Sequence, residues 1–195
     1  MASPRDILKQ YWGYESFRPL QEDIIQSILD KKDVLALLPT GGGKSICFQV
    51  PALLLDGLCM VISPLIALMK DQVQNLQQKN IPALALHSGM QPPEVERTLQ
   101  QAISGQYKFL YVSPERLETR LFQEYLPALP IRLLAIDEAH CISQWGYDFR
   151  PPYLRIAAFR EKIPGVPCLA LTASATRKVQ DDIRLRLNFG KAQAV

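Results

Sequence analysis

The chain has 195 residues, 48% of them apolar, enough for one domain with a proper core, and a formal net charge of +3 that by itself establishes no nucleic-acid partner. MASPRDILKQ at the N-terminus lacks the basic-then-apolar pattern of a signal peptide, and no apolar run approaches the roughly 18 residues of a membrane span. Secreted and membrane-embedded classes are thereby disfavoured, and the expectation is a soluble, intracellular protein.

In chain order, GYESFRPLQ (13–21) comes first, with Tyr14, Arg18 and Gln21 in a segment that otherwise reads as ordinary helix-start packing. VLALL (34–38) is the first strand-like run, followed by PTGGGKS (39–45) and the helix-like ICFQVPALLL. Further apolar runs follow: LCMVIS (58–63), ALALH (83–87), KFLYVS (108–113), IRLLAID (131–137) and CLALT (168–172). Between them the spacing predicts helices over 64–80, 114–126 and 175–188. Leu65, Leu68, Met69, Val73 and Leu76 mark one face of the first, and Pro114 and Glu115 open the second. Strand then helix, repeated with short connections, predicts a single α/β domain with a mainly parallel sheet covered on both faces. Such sheets bind ligands beyond the carboxyl ends of their strands, so chemistry is expected just after these runs.

Thr40, Gly41, Gly42, Gly43, Lys44 and Ser45 form the first such candidate. Consecutive glycines let the backbone curl its N–H groups toward one anion, and the next helix adds its positive end. Lys44 can reach outer phosphates, and the Ser45 hydroxyl can ligate Mg²⁺. The GxxxxGK[ST] pattern asks for glycine where Leu38 stands, so a glycine turn that happens to precede Lys-Ser is the alternative. Asp137 and Glu138 end the fifth strand-like run, where an unpaired carboxylate is costly. Mg²⁺ held by Asp137 resolves that cost and leaves Glu138 to take a proton from attacking water, although acids also cap helices. Together the two motifs predict nucleoside-triphosphate hydrolysis.

The segment AHCISQWGYDFRPPY (139–153) holds Trp145, Tyr147, Phe149 and Tyr153, four of the chain's sixteen aromatics, at neither helical nor strand spacing. It is expected to be a loop. Residues 142–191 carry nine Lys or Arg against four Asp or Glu, a lean toward a polyanion that a solvated helix face explains about as well. Cys47, Cys59, Cys141 and Cys168 show no CxxC spacing and read as buried free thiols rather than zinc ligands.

LPTGGGKS, DEAH and TASAT (172–176) resemble motifs I, II and III of superfamily 2 helicases, in which a non-glycine is tolerated at the Leu38 position. More narrowly, the chain is similar to the RecQ family of DNA helicases from about residue 5 to 190. GYESFRPLQ resembles its motif 0, SPLIALMKDQV (63–73) motif Ia, YVSPERL (111–117) motif Ib, and SQWGYDFRPPY its aromatic-rich loop. The resemblance implies a RecA-like P-loop domain that uses ATP and Mg²⁺, acts on single-stranded and partially duplex DNA, and unwinds in the 3′–5′ direction in repair and recombination. It implies that Tyr14 and Arg18 sandwich the adenine while Gln21 reads its edge. It implies that Lys44 and Ser45 hold phosphate and metal, Asp137 the metal, and that Glu138 is the base. His140, Ser174 and Thr176 would link the nucleotide to the DNA, and Gln144, Trp145, Phe149 and Arg150 would sense the DNA. Tyr153 is the expected anchor of that loop, and His87 is read as structural. At Tyr147 RecQ proteins usually carry His, and TASAT is closer to the wording of other superfamily 2 members.

Such a motor needs a second RecA-like domain to supply an arginine finger, and nothing after TASAT resembles one. The expectation is therefore that residues 1–195 are the N-terminal half of the motor, able to bind nucleotide weakly but not to unwind DNA or turn over ATP appreciably. A cytoplasmic, nucleoid-associated bacterial protein is expected, or a nuclear one if the source is eukaryotic. Two alternatives stay open: an RNA helicase domain, and a non-catalytic nucleotide-dependent binding module.

Overall fold

The computed structural model describes residues 2–190 and the backbone of Gln193 and Ala194. Lys191, one of the nine cations counted above, lies outside the described residues. The elements run α1 (Pro4–Trp12), α2 (Gln21–Leu29), β1 (Val34–Leu37), α3 (Ile46–Leu54), β2 (Leu58–Ile62), α4 (Ile66–Gln78), β3 (Ala83–Leu86) and α5 (Pro92–Ile103). They continue with β4 (Phe109–Val112), α6 (Arg120–Tyr125), β5 (Ile131–Ile136), α7 (Arg155–Glu161), β6 (Cys168–Thr172), α8 (Arg177–Arg186) and β7 (Gln193–Ala194). The strands form one sheet in the order β3-β4-β2-β5-β6-β1-β7, and every pairing is parallel.

All six sequence-read strands are present within a residue or two, because a strand buried on both faces reads as a continuous apolar run. The alternation along β2 shows how each face is served. Leu58, Met60 and Ile62 join α5, α6, α7 and α8 through residues such as Leu99, Phe122, Ile156 and Ile183. Cys59 and Val61 face α2, α3 and α4 through Ile24, Phe48 and Met69. Each such side chain contributes about 1.5–3 kcal/mol by leaving water. Helix α1 lies outside this second layer, with Ile7 and Leu8 packed on Ile25, Ile46 and Val50. All four cysteines are free and buried, and burial pushes the thiols of Cys47 and Cys141 up to about 12.

One expected helix is not continuous. Residues 114–126 form a 3-10 turn over Pro114–Arg116, an extended Thr119 at φ −67° and ψ 142°, and then α6. Side chains capture the carbonyls that a continuous helix would use. The Thr119 hydroxyl donates to Arg116 O at 2.8 Å, and the Gln123 amide donates to Leu117 O. The Arg116 guanidinium is drawn away to the carbonyls of His87 (2.8 Å) and Met90 (2.7 Å). His87 serves that same turn, its Nδ1 accepting from Gly89 N–H at 3.2 Å.

The strand order places the site. β6 lies between β5 and β1, so the segments after these three strands emerge side by side at one edge of the sheet. From β1 the chain crosses by way of α3 to β2, past β6 and β5, the kind of crossover beside which open parallel sheets hold their ligands.

Candidate functional site

The phosphate loop leaves β1 at Leu38 and enters α3 after Ser45. Gly41 and Gly43 have φ of 76° and 75°, values that a side chain rarely tolerates. Gly42 is required for a different reason, since a Cβ there would lie 2.8 Å from Pro39 O. Motif 0 grips this loop. Gln21, 3% exposed, accepts from Arg18 N–H at 2.9 Å and donates to the carbonyls of Gly42 (3.3 Å) and Gly43 (3.1 Å). The Arg18 guanidinium donates to Gly41 O. Arg18 and Gln21, which the resemblance assigns to the adenine, thus both also fasten the glycine loop. Beside them opens a cavity of about 850 Å³, lined by Tyr14, Arg18, Gln21, Gly41, Gly43 and Ser45, and continuing toward Gln49 of α3 and Gln72 of α4. Tyr14 stands 55% exposed at its wall, free to offer a ring face.

Lys44 reaches across to the acidic pair, with its Nζ 3.5 Å from Glu138 Oε1. Any phosphate entering the loop competes with Glu138 for that ammonium. Glu138 has φ 49° and ψ 47°, a left-handed backbone that is uncommon for a residue with a side chain and that clusters at functional sites. Asp137 is held tightly: its N–H donates to Ile62 O at 2.9 Å, its Oδ1 accepts from Glu138 N–H at 2.9 Å, and its carbonyl accepts from the Tyr153 hydroxyl at 2.9 Å. Burial, reinforced by the neighbouring Glu138 charge, raises the Asp137 pKa, with Lys44 and the Glu138 N–H opposing. A penalised carboxylate and a hydroxyl, Asp137 and Ser45, are the donor chemistry a hard dication selects.

His140, 3% exposed, extends the chain of contacts. Its Nδ1 lies 3.3 Å from Glu138 Oε2 and 2.9 Å from Thr172 Oγ1. Thr172 donates to Ser174 O at 3.2 Å and accepts from Ser174 N–H at 3.3 Å, so its remaining lone pair assigns the proton to His140 Nδ1. Burial lowers the His140 pKa, Lys44 and Arg150 adding to the effect and Glu138 and Asp148 opposing it, which favours the neutral ring. Lys44, Glu138, His140, Thr172 and Ser174 thus form one connected series across the ends of β1, β5 and β6. Thr176 stands apart as the N-cap of α8, its hydroxyl accepting from Val179 N–H at 3.4 Å.

The aromatic segment is a loop between two 3-10 turns, as expected. Tyr153 is its anchor, fully buried. Trp145 and Tyr147 are 61% and 76% exposed, Gln144 is exposed, and Phe149 is half-buried. Tyr147 stacks on His140 with centroids 4.8 Å apart and planes 17° from parallel. Arg150 is occupied within the loop, 3.1 Å from Asp148 and with its guanidinium 3.5 Å from Pro64 O. Five participants carry no signal in the sequence. Thr172 joins His140 to Ser174. Lys178 places its Nζ 3.3 Å from the centre of the Trp145 ring. Gln49, Gln72 and Tyr111 meet at 3.3–3.5 Å and tie α3, α4 and β4 together beneath the cavity. No periodicity reports such contacts, because their partners lie on different elements.

A glycine loop with its lysine, an acidic pair and a hydroxyl-bearing segment, on three adjacent strands of a parallel sheet, define a RecA-like helicase motor domain. The sequence matches the family model described as DEAD/DEAH box helicase over residues 18–182, and the chain belongs to that family. It is 47% identical over 183 residues to "ATP-dependent DNA helicase RecQ" of Haemophilus influenzae, covering 94% of this chain and 30% of that protein. It is also 47% identical over 184 residues to "Probable ATP-dependent DNA helicase RecS" of Bacillus subtilis, covering 94% of this chain and 37% of that one. Among solved structures, the Pyrococcus furiosus Hef helicase domain shares the fold, with a TM-score of 0.71 at 21% identity over 91% of this chain and 38% of that one. Among the described residues no helix is long and apolar enough to cross a membrane.

Proposed function

We propose that this chain is the nucleotide-binding half of a RecQ-like motor that couples ATP hydrolysis to 3′–5′ unwinding of DNA in repair and recombination. The observation that carries the reading is the connected series from Lys44 through Glu138 and His140 to Thr172 and Ser174. It runs from the group that would hold phosphate to the segment that begins α8, and Tyr147 of the aromatic loop rests on its middle member. Lys44 and the loop N–H groups bind phosphate, Tyr14 and Arg18 flank the base, Glu138 accepts the proton of the attacking water, and His140 stays neutral to relay position. Ser45 and Asp137 would hold Mg²⁺, which when bound neutralises phosphate charge. Trp145 and Phe149 would stack on single-stranded bases, and Arg150 would exchange Asp148 for a phosphate.

The chain spans a minor share of the relatives named above, which supports a second RecA-like domain as the partner that supplies an arginine finger. That contribution is worth about 10³–10⁵ in rate in related phosphoryl-transfer enzymes. The relatives are DNA helicases by name, and the aromatic loop favours DNA over RNA. The protein would work where the DNA is, in the cytoplasm of a bacterium or a eukaryotic nucleus.

The test is ATP turnover by residues 1–195 with and without single-stranded DNA, beside Lys44→Ala. Nucleotide binding that Lys44→Ala abolishes, with negligible turnover either way, fits half a motor. A Lys44-dependent rate stimulated by DNA would show that the domain completes its own site and would remove the second-domain requirement.

A further inference from the structure

Two cations stand where a helix disfavours them. Arg177 and Lys178 are the first two residues of α8, beside the positive end of its dipole, and the first turn holds no acid. Further along the same helix, Arg184 and Arg186 pair with Asp181 and Asp182 at 3.2 and 3.0 Å. Among the described residues, Arg177 and Lys178 form no such pair. Charges placed against local stability point to an anion from outside.

What Lys178 does touch is the Trp145 ring, with its ammonium 3.3 Å from the ring centre. Both side chains are exposed, so apolar burial does not explain the contact. The loop path beside Trp145 is narrowly defined, since a Cβ at Gly146 would lie 2.9 Å from His140 O. An ammonium and a nucleobase use the same feature of the indole, its π face. A base stacking on the face that Lys178 covers must displace it, and the released ammonium remains tethered next to Arg177 and the α8 N-terminus. That is where the phosphate of the stacked nucleotide would be received.

We propose that Trp145 and the first turn of α8 form one nucleotide-binding element, in which Lys178 covers the indole until a base of single-stranded DNA takes that face and Lys178 and Arg177 then hold the adjoining phosphate. The inference rests on the DNA-motor reading above and adds α8 to it. Because the N-cap of α8, Thr176, lies two residues beyond Ser174, the exchange acts directly on the segment that ends the series from the phosphate loop.

The chain has two tryptophans, so Trp12→Phe leaves Trp145 as the sole reporter. In that background, without nucleotide, Lys178→Ala is expected to shift Trp145 emission and raise its quenching by acrylamide before any DNA is added. Its affinity for a single-stranded oligonucleotide should fall about threefold to tenfold, with a salt slope smaller by about one, while Lys178→Arg retains both. Unchanged emission and slope in Lys178→Ala overturn the proposal. Weakened binding on Trp145→Ala but not on Lys178→Ala overturns it while leaving the DNA reading in place. A parent protein that binds no oligonucleotide overturns both.

Discussion

Asp137 illustrates a residue kept against the stability of its own fold. Its pKa is raised, so the charged form is the penalised one. The native state therefore loses stability as pH rises from the ordinary 3.8 through the raised value, and the loss is complete above it. Asp137→Asn is expected to raise the Tm of the nucleotide-free chain at neutral pH, to narrow that gain toward pH 4, and to abolish Mg²⁺-dependent nucleotide binding. A lower Tm at neutral pH would show that the carboxylate is a net stabiliser. His140 has the opposite sign. Its pKa is lowered, so its contribution is present above the ordinary 6.5 and is lost as pH falls from there through the lowered value. Tyr153→Phe leaves the shape of the anchor intact but removes the donor to Asp137 O, and should cost about 1–3 kcal/mol by chemical denaturation.

At the scale of elements, the cap on α8 is the test case. Thr176 offsets a first turn that carries two cations and no acid, so Thr176→Ala should destabilise by about 1 kcal/mol or more, and Thr176→Ser should restore most of it. Equal denaturation midpoints for all three would mean that the cap contributes nothing. The elements also show what the sequence made legible. The six strands could be read because each is apolar on both faces, and the phosphate loop and acidic pair because their residues are contiguous. A continuous 114–126 helix does not form because Thr119 is extended and its hydroxyl, with the Gln123 amide, binds carbonyls of the preceding turn. Helix α5 has no such contiguous signal, although the side chain of Glu94 in its first turn accepts from Gln91 N–H at 3.0 Å. The grip of Gln21 on Gly42 and Gly43, and of Lys178 on Trp145, joins residues far apart in sequence, so neither left a local trace.

The whole molecule separates a structural tie from the proposed site along the strand direction. At the N-terminal edge of the sheet, Asp33 accepts from Cys168 N–H at 2.9 Å and pairs with Arg160, fastening β1, β6 and α7. At the opposite edge lie the phosphate loop, the acidic pair and the aromatic loop. Asp33→Ala removes the carboxylate partner of a largely buried guanidinium, leaving it Leu187 O and the Phe189 ring, and should cost about 1–3 kcal/mol while leaving nucleotide affinity unchanged. Lys44→Ala should do the reverse, a loss of binding with little change in unfolding midpoint. If Asp33→Ala weakened nucleotide binding in proportion to its destabilisation, the two edges would be mechanically one.

The left-handed backbone at Glu138 also constrains how such a motor can decay. Replacement by Gln keeps both the side-chain length and the awkward conformation, so an inactive lineage gains nothing in folding by taking that path. Replacement by Gly removes the proposed base and the conformational penalty in one step, and Asn relieves part of it. Descendants that have given up hydrolysis but still use nucleotide as a ligand should accordingly drift toward Gly or Asn at this position, a bias set by two torsion angles rather than by the reaction lost.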